Sequence, residues 1–113
     1  MPCVFCQIAS GEISSEILHQ DDEIIAFRDI NPRAPVHILI VPRKHVVSLT
    51  DLADEEMPIL GKMASAAKKL AKKEGISEKG YRITVNSGSE GGQLVPHLHM
   101  HLLGGRQLSG SMG

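Results

Sequence analysis

GGQLVPHLHMHLLGG, residues Gly91 to Gly105, carries His97, His99 and His101 at every second position. An extended strand is the regular backbone that puts all three on one face. Leu98, Met100 and Leu102 then point the other way, into a core, while three imidazoles face a pocket. Neighbouring imidazoles are expected about 7 Å apart, twice the strand rise. Pro96 suits the first residue of such a strand, because its missing N–H is tolerated there, and Gly104-Gly105 ends it.

Working outward, the polar, Gly-rich loop Ser87 to Gly92 joins this strand to an alternating run, Tyr81 to Asn86, that reads as another. Upstream lies one long helix, opened by Asp54-Glu55-Glu56 and ending near Lys68, Lys69, Lys72 and Lys73, an order the macrodipole favours. Met57, Leu60, Met63, Ala64, Ala67, Leu70 and Ala71 mark its buried face, Pro58 falls in its first turn, and Gly75 is its C′ residue. Further back, Pro35 releases a β-branched run, Val36 to Val41, closed by Pro42, and 29–35 is a loop. Glu16 to Gln20 and Glu23 to Arg28 read as strands around a turn at Asp21-Asp22, and Cys3 to Ser10 as a short helix stopped by Gly11. Five short strands with two helical segments predict an α+β domain around an antiparallel sheet.

The 113 residues suit one domain, 1–113, with a mobile tail from about residue 107. A formal net charge of −1, with no long basic run interleaved with aromatics, gives a nucleic acid polymer no footprint. No stretch approaches the roughly 20 apolar residues of a membrane span. The N-terminus lacks the charged and apolar regions of a secretory signal, so a cytoplasmic protein is expected. In that compartment Cys3 and Cys6, spaced C-x-x-C, read as a metal or redox pair before a structural disulfide.

Three imidazoles in a row have three readings. They are metal ligands, or one is a nucleophile whose neighbours orient it and bind oxyanions, or the strand face is simply solvated. The GSEGGQ loop beside them favours a site, because glycine N–H groups approach and cradle a phosphate.

HLHMHLL at 97–103 resembles the His-φ-His-φ-His-φ-φ signature of the histidine triad superfamily. AFRDINPRAPVHILIVPRKH at 26–45, GYRITVNSGSEGGQ at 80–93 and GGRQ at 104–107 resemble its Hint branch, so the likeness covers nearly all of the chain except the last six residues. The resemblance implies a dimeric purine nucleoside 5′-phosphoramidate hydrolase acting on AMP- or GMP-type conjugates, with no cofactor required for catalysis. His99 is then the nucleophile that forms a nucleotidyl-histidine, His101 binds phosphate, His97 supports it, and His37 adjoins the triad. Asn86 and Gln93 match phosphate or leaving-group contacts, Asp29 the carboxylate on both ribose hydroxyls, and Val4, Phe5, Ile8, Phe27 and Ile30 the base-binding wall. Without the resemblance, Asp29 reads as a loop cap, Gln93 as a turn residue and the five apolar residues as core. Leu94 departs from the serine that many Hint proteins carry there, so leaving-group protonation must rely on backbone, histidine or water; the tail has no tryptophan, and the resemblance implies that the C-terminus shapes leaving-group preference.

Some histidine triad proteins pair such cysteines with the equivalents of His45 and His97, which implies a structural zinc on Cys3, Cys6, His45 and His97. The alternative is two free thiols on a terminal helix. Rivals to the hydrolase are a dinucleoside polyphosphate hydrolase, a non-catalytic nucleotide-binding adaptor and a metalloenzyme with the triad as ligands. His19 reads as a surface strand residue.

Overall fold

A computed structural model describes residues 3–111. The first hairpin is built by Asp21, whose carboxylate accepts from the N–H groups of Glu23 and Ile24 at 2.8 and 3.0 Å. The Ile24 bond, then that of Glu23, holds this carboxyl well below the usual range. The turn joins β1 (Ile17–Gln20) to β2 (Ile24–Arg28), and β3 (Val36–Pro42) follows the 29–35 loop. β4 (Tyr81–Val85) and β5 (Met100–Gly104) complete a sheet ordered β1-β2-β3-β5-β4, antiparallel throughout.

Every residue of β3 is buried because the central strand is covered on both faces. On one face Ile24, Ala26, Ile38, Ile40, Leu98, Met100 and Leu102 pack against α2 (Pro58–Lys73). On the other, Ile25, Phe27, Leu39 and Val41 pack against Phe5 of α1 (Val4–Ser10). Each large apolar side chain so buried contributes roughly 1.5–3 kcal/mol relative to exposure. The period-2 patterns of the central strands thus sort side chains between two cores. Leu98, Met100 and Leu102 fall where the alternation places them.

Two boundaries differ from the sequence reading. Asp54–Glu56 is a separate 3-10 turn, closed by Glu56 N–H to Ala53 C=O at 2.9 Å, and α2 begins at Pro58. Pro58 has no N–H to give Asp54, so the α ladder starts beyond it. On the buried face of α2, Ala66 is enclosed and Met57, outside the helix proper, is exposed. Leu60 and Ala64 are only partly buried against the core. Gly75, with φ +77, ends the helix as expected.

β5 begins at Met100, not at Pro96. Asp29 N–H bonds His37 C=O and Arg43 N–H bonds Glu23 C=O, so the odd residues of β3 turn their polar groups toward β2. Pro42 therefore turns its missing N–H toward β5, and the ladder stops at the Ile40–Met100 pair. Before Met100, His97 N–H turns back to Val95 C=O and Leu98 N–H reaches Val46 C=O. Of the expected tail, Ser109 accepts a hydrogen bond from Arg82, while residues 112 and 113 lie outside the described residues.

Candidate active site and thiol–histidine cluster

All three triad histidines fall on the α1 side of the sheet, but only His101 belongs to the paired strand. His99 and His101 have ring centroids 4.9 Å apart and interplanar angle 65°, closer than the spacing of an ideal strand because the rings tilt toward one another. Phe5 stands edge-on to His97 and His99 at 5.9 and 5.1 Å and is itself backed by Phe27 at 5.5 Å.

Backbone groups decide what each imidazole can do. The Nδ1–H of His99 donates to the carbonyl of His97 at 2.6 Å, so Nε2 is the nitrogen with a free lone pair. His37 is set the opposite way. Arg33 N–H donates to its Nδ1 at 3.1 Å, which leaves the ring proton on Nε2. That proton goes to Nδ1 of His101 at 2.9 Å, with the Asp29 carboxylate a further 3.4 Å neighbour. His101 therefore carries its own proton on Nε2. Burial, reinforced by His99 and His37, pushes the His101 imidazole down to about 4. Burial also lowers His37, opposed by Asp29 and helped by Arg33. Both rings are neutral at neutral pH.

His97 faces a second cluster. Its Nε2–H donates to the Pro42 carbonyl at 2.8 Å, so Nδ1 holds a lone pair. Nδ1 lies 3.3 Å from Cys3 Sγ, 3.6 Å from Cys6 Sγ and 3.2 Å from His45 Nδ1, and Cys6 Sγ lies 3.4 Å from His45 Nδ1. Tetrahedral zinc with ordinary Zn–N and Zn–S bonds sets nitrogens about 3.3 Å apart and nitrogen from sulfur about 3.6 Å apart. The residues present fit that ion, and the carbonyl behind His97 is the partner that ligating histidines use to fix their tautomer. Burial, with Cys3 alongside, raises the Cys6 thiol, an effect that a bound dication reverses.

Asp29, His37 and His101 also bring three donor atoms together. A metal on His37 Nε2 needs the ring proton on Nδ1, where Arg33 N–H already points. In this tautomer the cluster is a hydrogen-bonded histidine relay, and the Arg33 N–H opposes its use as a metal ligand set.

The remaining residues divide. Oδ1 of Asp29 caps Asn31 N–H at 2.8 Å and Oδ2 faces the relay, so the loop-cap and site readings both hold. Gln93 is turned inward: its carbonyl accepts from Gly88 N–H at 2.9 Å and its amide donates to Val47 and Val95. Asn86 likewise braces the loop, donating to Gly91 C=O at 2.7 Å. Of the expected base wall, Phe5 and Phe27 are core, Ile8 is half-buried, Val4 is exposed and Ile30 is 85% exposed. His19 is on the surface, bonded to Asp21 at 3.0 Å. What sequence reasoning missed are backbone partners, the Arg33 N–H and the carbonyls of Pro42 and His97, which no side-chain motif announces.

A histidine whose Nδ1 is tied to a backbone carbonyl, beside a histidine relay on an antiparallel sheet covered by two helices, is a candidate nucleophilic histidine site. The chain belongs to the HIT domain family, whose model matches residues 10–108. It is 50% identical over 105 residues to the purine nucleoside phosphoramidase of Escherichia coli (strain K12), covering 93% of this chain and 88% of that one. Its structure is similar to that of a HIT family hydrolase from Legionella pneumophila Philadelphia 1, with TM-score 0.95, 49% identity, and 99% and 100% of the two chains covered. It is also similar to a Zn-bound histidine triad family protein from Mycobacterium smegmatis, with TM-score 0.81, 30% identity, and 94% and 76% covered. No helix among the described residues is long and apolar enough to cross a membrane.

Proposed function

We propose that the protein hydrolyses purine nucleoside 5′-phosphoramidates through a nucleotidyl-histidine intermediate. The observation that carries this reading is the 2.6 Å bond from His99 Nδ1–H to the His97 carbonyl, which holds Nε2 as the ring nitrogen available for attack. Nε2 attacks the α-phosphorus, a phosphorus–nitrogen bond to His99 forms, and the bond to the leaving nitrogen breaks as that nitrogen takes a proton from water and departs as the neutral amine. The ring becomes cationic, and the His97 carbonyl stabilises it by accepting the Nδ1–H. His101 Nε2–H donates to a phosphoryl oxygen. Water then attacks phosphorus, releases the nucleoside monophosphate and restores His99.

The whole chain reads as one such domain, with Asp29 on the ribose and Phe5, Ile8, Val4 and Ile30 on the base side. The likeness to the E. coli enzyme supports the substrate class. Zinc on Cys3, Cys6, His45 and His97 is structural in this reading; when bound it supplies a fixed crosslink between α1 and the strand end, and no step of the reaction passes through it. Both cysteines are free thiols, a state the reducing cytoplasm maintains. A homodimer accords with β4 at the sheet edge, where Tyr81 and Ile83 expose large side chains.

The test is release of AMP from adenosine 5′-phosphoramidate in the presence of chelator. The parent is expected to turn over and His99→Ala to lose at least ~10³-fold in kcat. An inactive parent, or an active His99→Ala, refutes the assignment.

A further inference from the structure

Arg33 is bonded on both sides of its backbone. Its N–H donates to His37 Nδ1 at 3.1 Å, and its C=O accepts from Nη2 of Arg106 at 2.8 Å. Arg106 follows the Gly104-Gly105 pair at the end of β5, far along the chain from the 29–35 loop. The turn is pressed against that loop: a Cβ on Gly105, whose φ is +95, stands 2.9 Å from Cβ of Pro35. Nη1 of Arg106 is held by the Gln107 carbonyl at 3.1 Å, which aims the other arm of the guanidinium at Arg33.

The consequence follows from the proton count on three rings. His37 delivers its proton to His101 only while Nδ1 is occupied by a donor. If Arg33 N–H drifts away, the ring proton exchanges between Nδ1 and Nε2, and for part of the time His37 presents a lone pair to His101. His101 then needs its proton on Nδ1, which strips the phosphate-facing Nε2 of its donor. Arg33 N–H is a backbone group with no rotamer of its own, so it stays in place only as firmly as the loop does.

We propose that Arg106 is a positioning residue for the reaction: by clamping the Arg33 carbonyl, it fixes the tautomers of His37 and His101. It touches no reacting atom. The proposal rests on the reading of His101 as the phosphate donor, but its primary readout does not.

The test compares the parent with Arg106→Ala and Arg106→Lys. Long-range nitrogen–proton correlation spectra of histidine-labelled protein report the ring tautomer directly. The parent is expected to show His37 with its proton on Nε2, Arg106→Ala to show a mixture, and Arg106→Lys, which retains one donor for the carbonyl, to restore the parent pattern. With adenosine 5′-phosphoramidate, Arg106→Ala is expected to lower kcat about two- to tenfold, the weight of one hydrogen bond, with a smaller change in KM. Arg82→Ala, which frees Ser109 without touching Arg33, is expected to match the parent in both measurements. A His37 tautomer unchanged in Arg106→Ala overturns the proposal whatever the activity, and so does failure of lysine to restore it. If the parent is inactive but the tautomers shift as stated, the hydrolase reading falls and the positioning role stands.

Discussion

Acid tests the buried imidazoles directly. A histidine whose folded proton affinity is depressed refuses a proton that the unfolded chain accepts. It therefore costs nothing above its unfolded value and destabilises progressively as pH falls, until the folded value is passed. His101 moves from an ordinary 6.5 to about 4, and at about 1.4 kcal/mol for each factor of ten in proton affinity this bounds the loss at about 3.4 kcal/mol. The ring is partly open to solvent, and screening reduces that figure to about half. Roughly 1 kcal/mol of it falls between pH 7 and pH 5, and burial of His37 and His97 acts in the same direction. The carboxylates are separable, because Asp21 and Glu56 have lowered values and contribute only in more acidic solution. The assay is urea unfolding followed by far-ultraviolet circular dichroism, since the chain has no tryptophan. The midpoint is expected to fall by about 0.5 M between pH 7 and pH 5, and His101→Gln to reduce that fall. A midpoint that stays level or rises over this interval refutes the reasoning.

Cys6→Ser is expected to abolish stoichiometric zinc, read by elemental analysis after purification without added metal. It should also lower thermal stability, because α1 is held to the strand end by that cluster; a parent lacking zinc removes the site. Ile83→Arg, placing a charge on the exposed face of the edge strand, is expected to convert a dimer to monomer in sedimentation equilibrium, and a dimer unchanged in mass excludes that edge as the interface. Asp29→Asn keeps an oxygen to cap Asn31 but removes the carboxylate, so KM for adenosine 5′-phosphoramidate should rise about tenfold, with a smaller fall in kcat from loss of the charge facing His37. An equal rise in the 2′,3′-dideoxy substrate would show that ribose hydroxyls are not what Asp29 holds.

The chain's legible parts are those where local chemistry and tertiary position agree. The runs read as strands at 23–28 and 36–41 are set off by an aspartate turn and a proline loop, and they fold as β2 and β3 with Ile24 to Phe27 and all of β3 buried. The start of β5 was not legible, because it depends on which way Pro42 faces, and that parity is set by pairing between β2 and β3 far away in sequence. Gln93 and Asn86 show the same limit from the other side. Both flank the glycine loop, yet Asn86 donates to Gly91, and Gln93 donates to Val47 and Val95 while accepting from Gly88. Spacing brings a polar side chain to a site, but competition among nearby carbonyls decides where its donors go.

The two histidine clusters make that competition functional. His97 and His37 are both buried imidazoles at the heart of a three- or four-donor group, and residue type does not tell a metal ligand from a proton carrier. The difference is the sign of one backbone partner. A carbonyl, from Pro42, takes the Nε2–H of His97 and leaves a lone pair pointing at two thiols and His45. An N–H, from Arg33, fills the Nδ1 of His37 and forces the opposite nitrogen to donate. His99 follows His97 by two residues and takes its own instruction from that residue's carbonyl. One residue thus joins the two clusters: the peptide unit of His97 orients the His99 ring while its own ring faces the thiols. Disorder in the thiol cluster is therefore transmitted to His99 through a single 2.6 Å bond and through Phe5, which packs on both rings. Cys6→Ser, which disrupts that cluster, is therefore expected to lower kcat for adenosine 5′-phosphoramidate by misplacing His99, and a kcat equal to the parent's refutes the coupling.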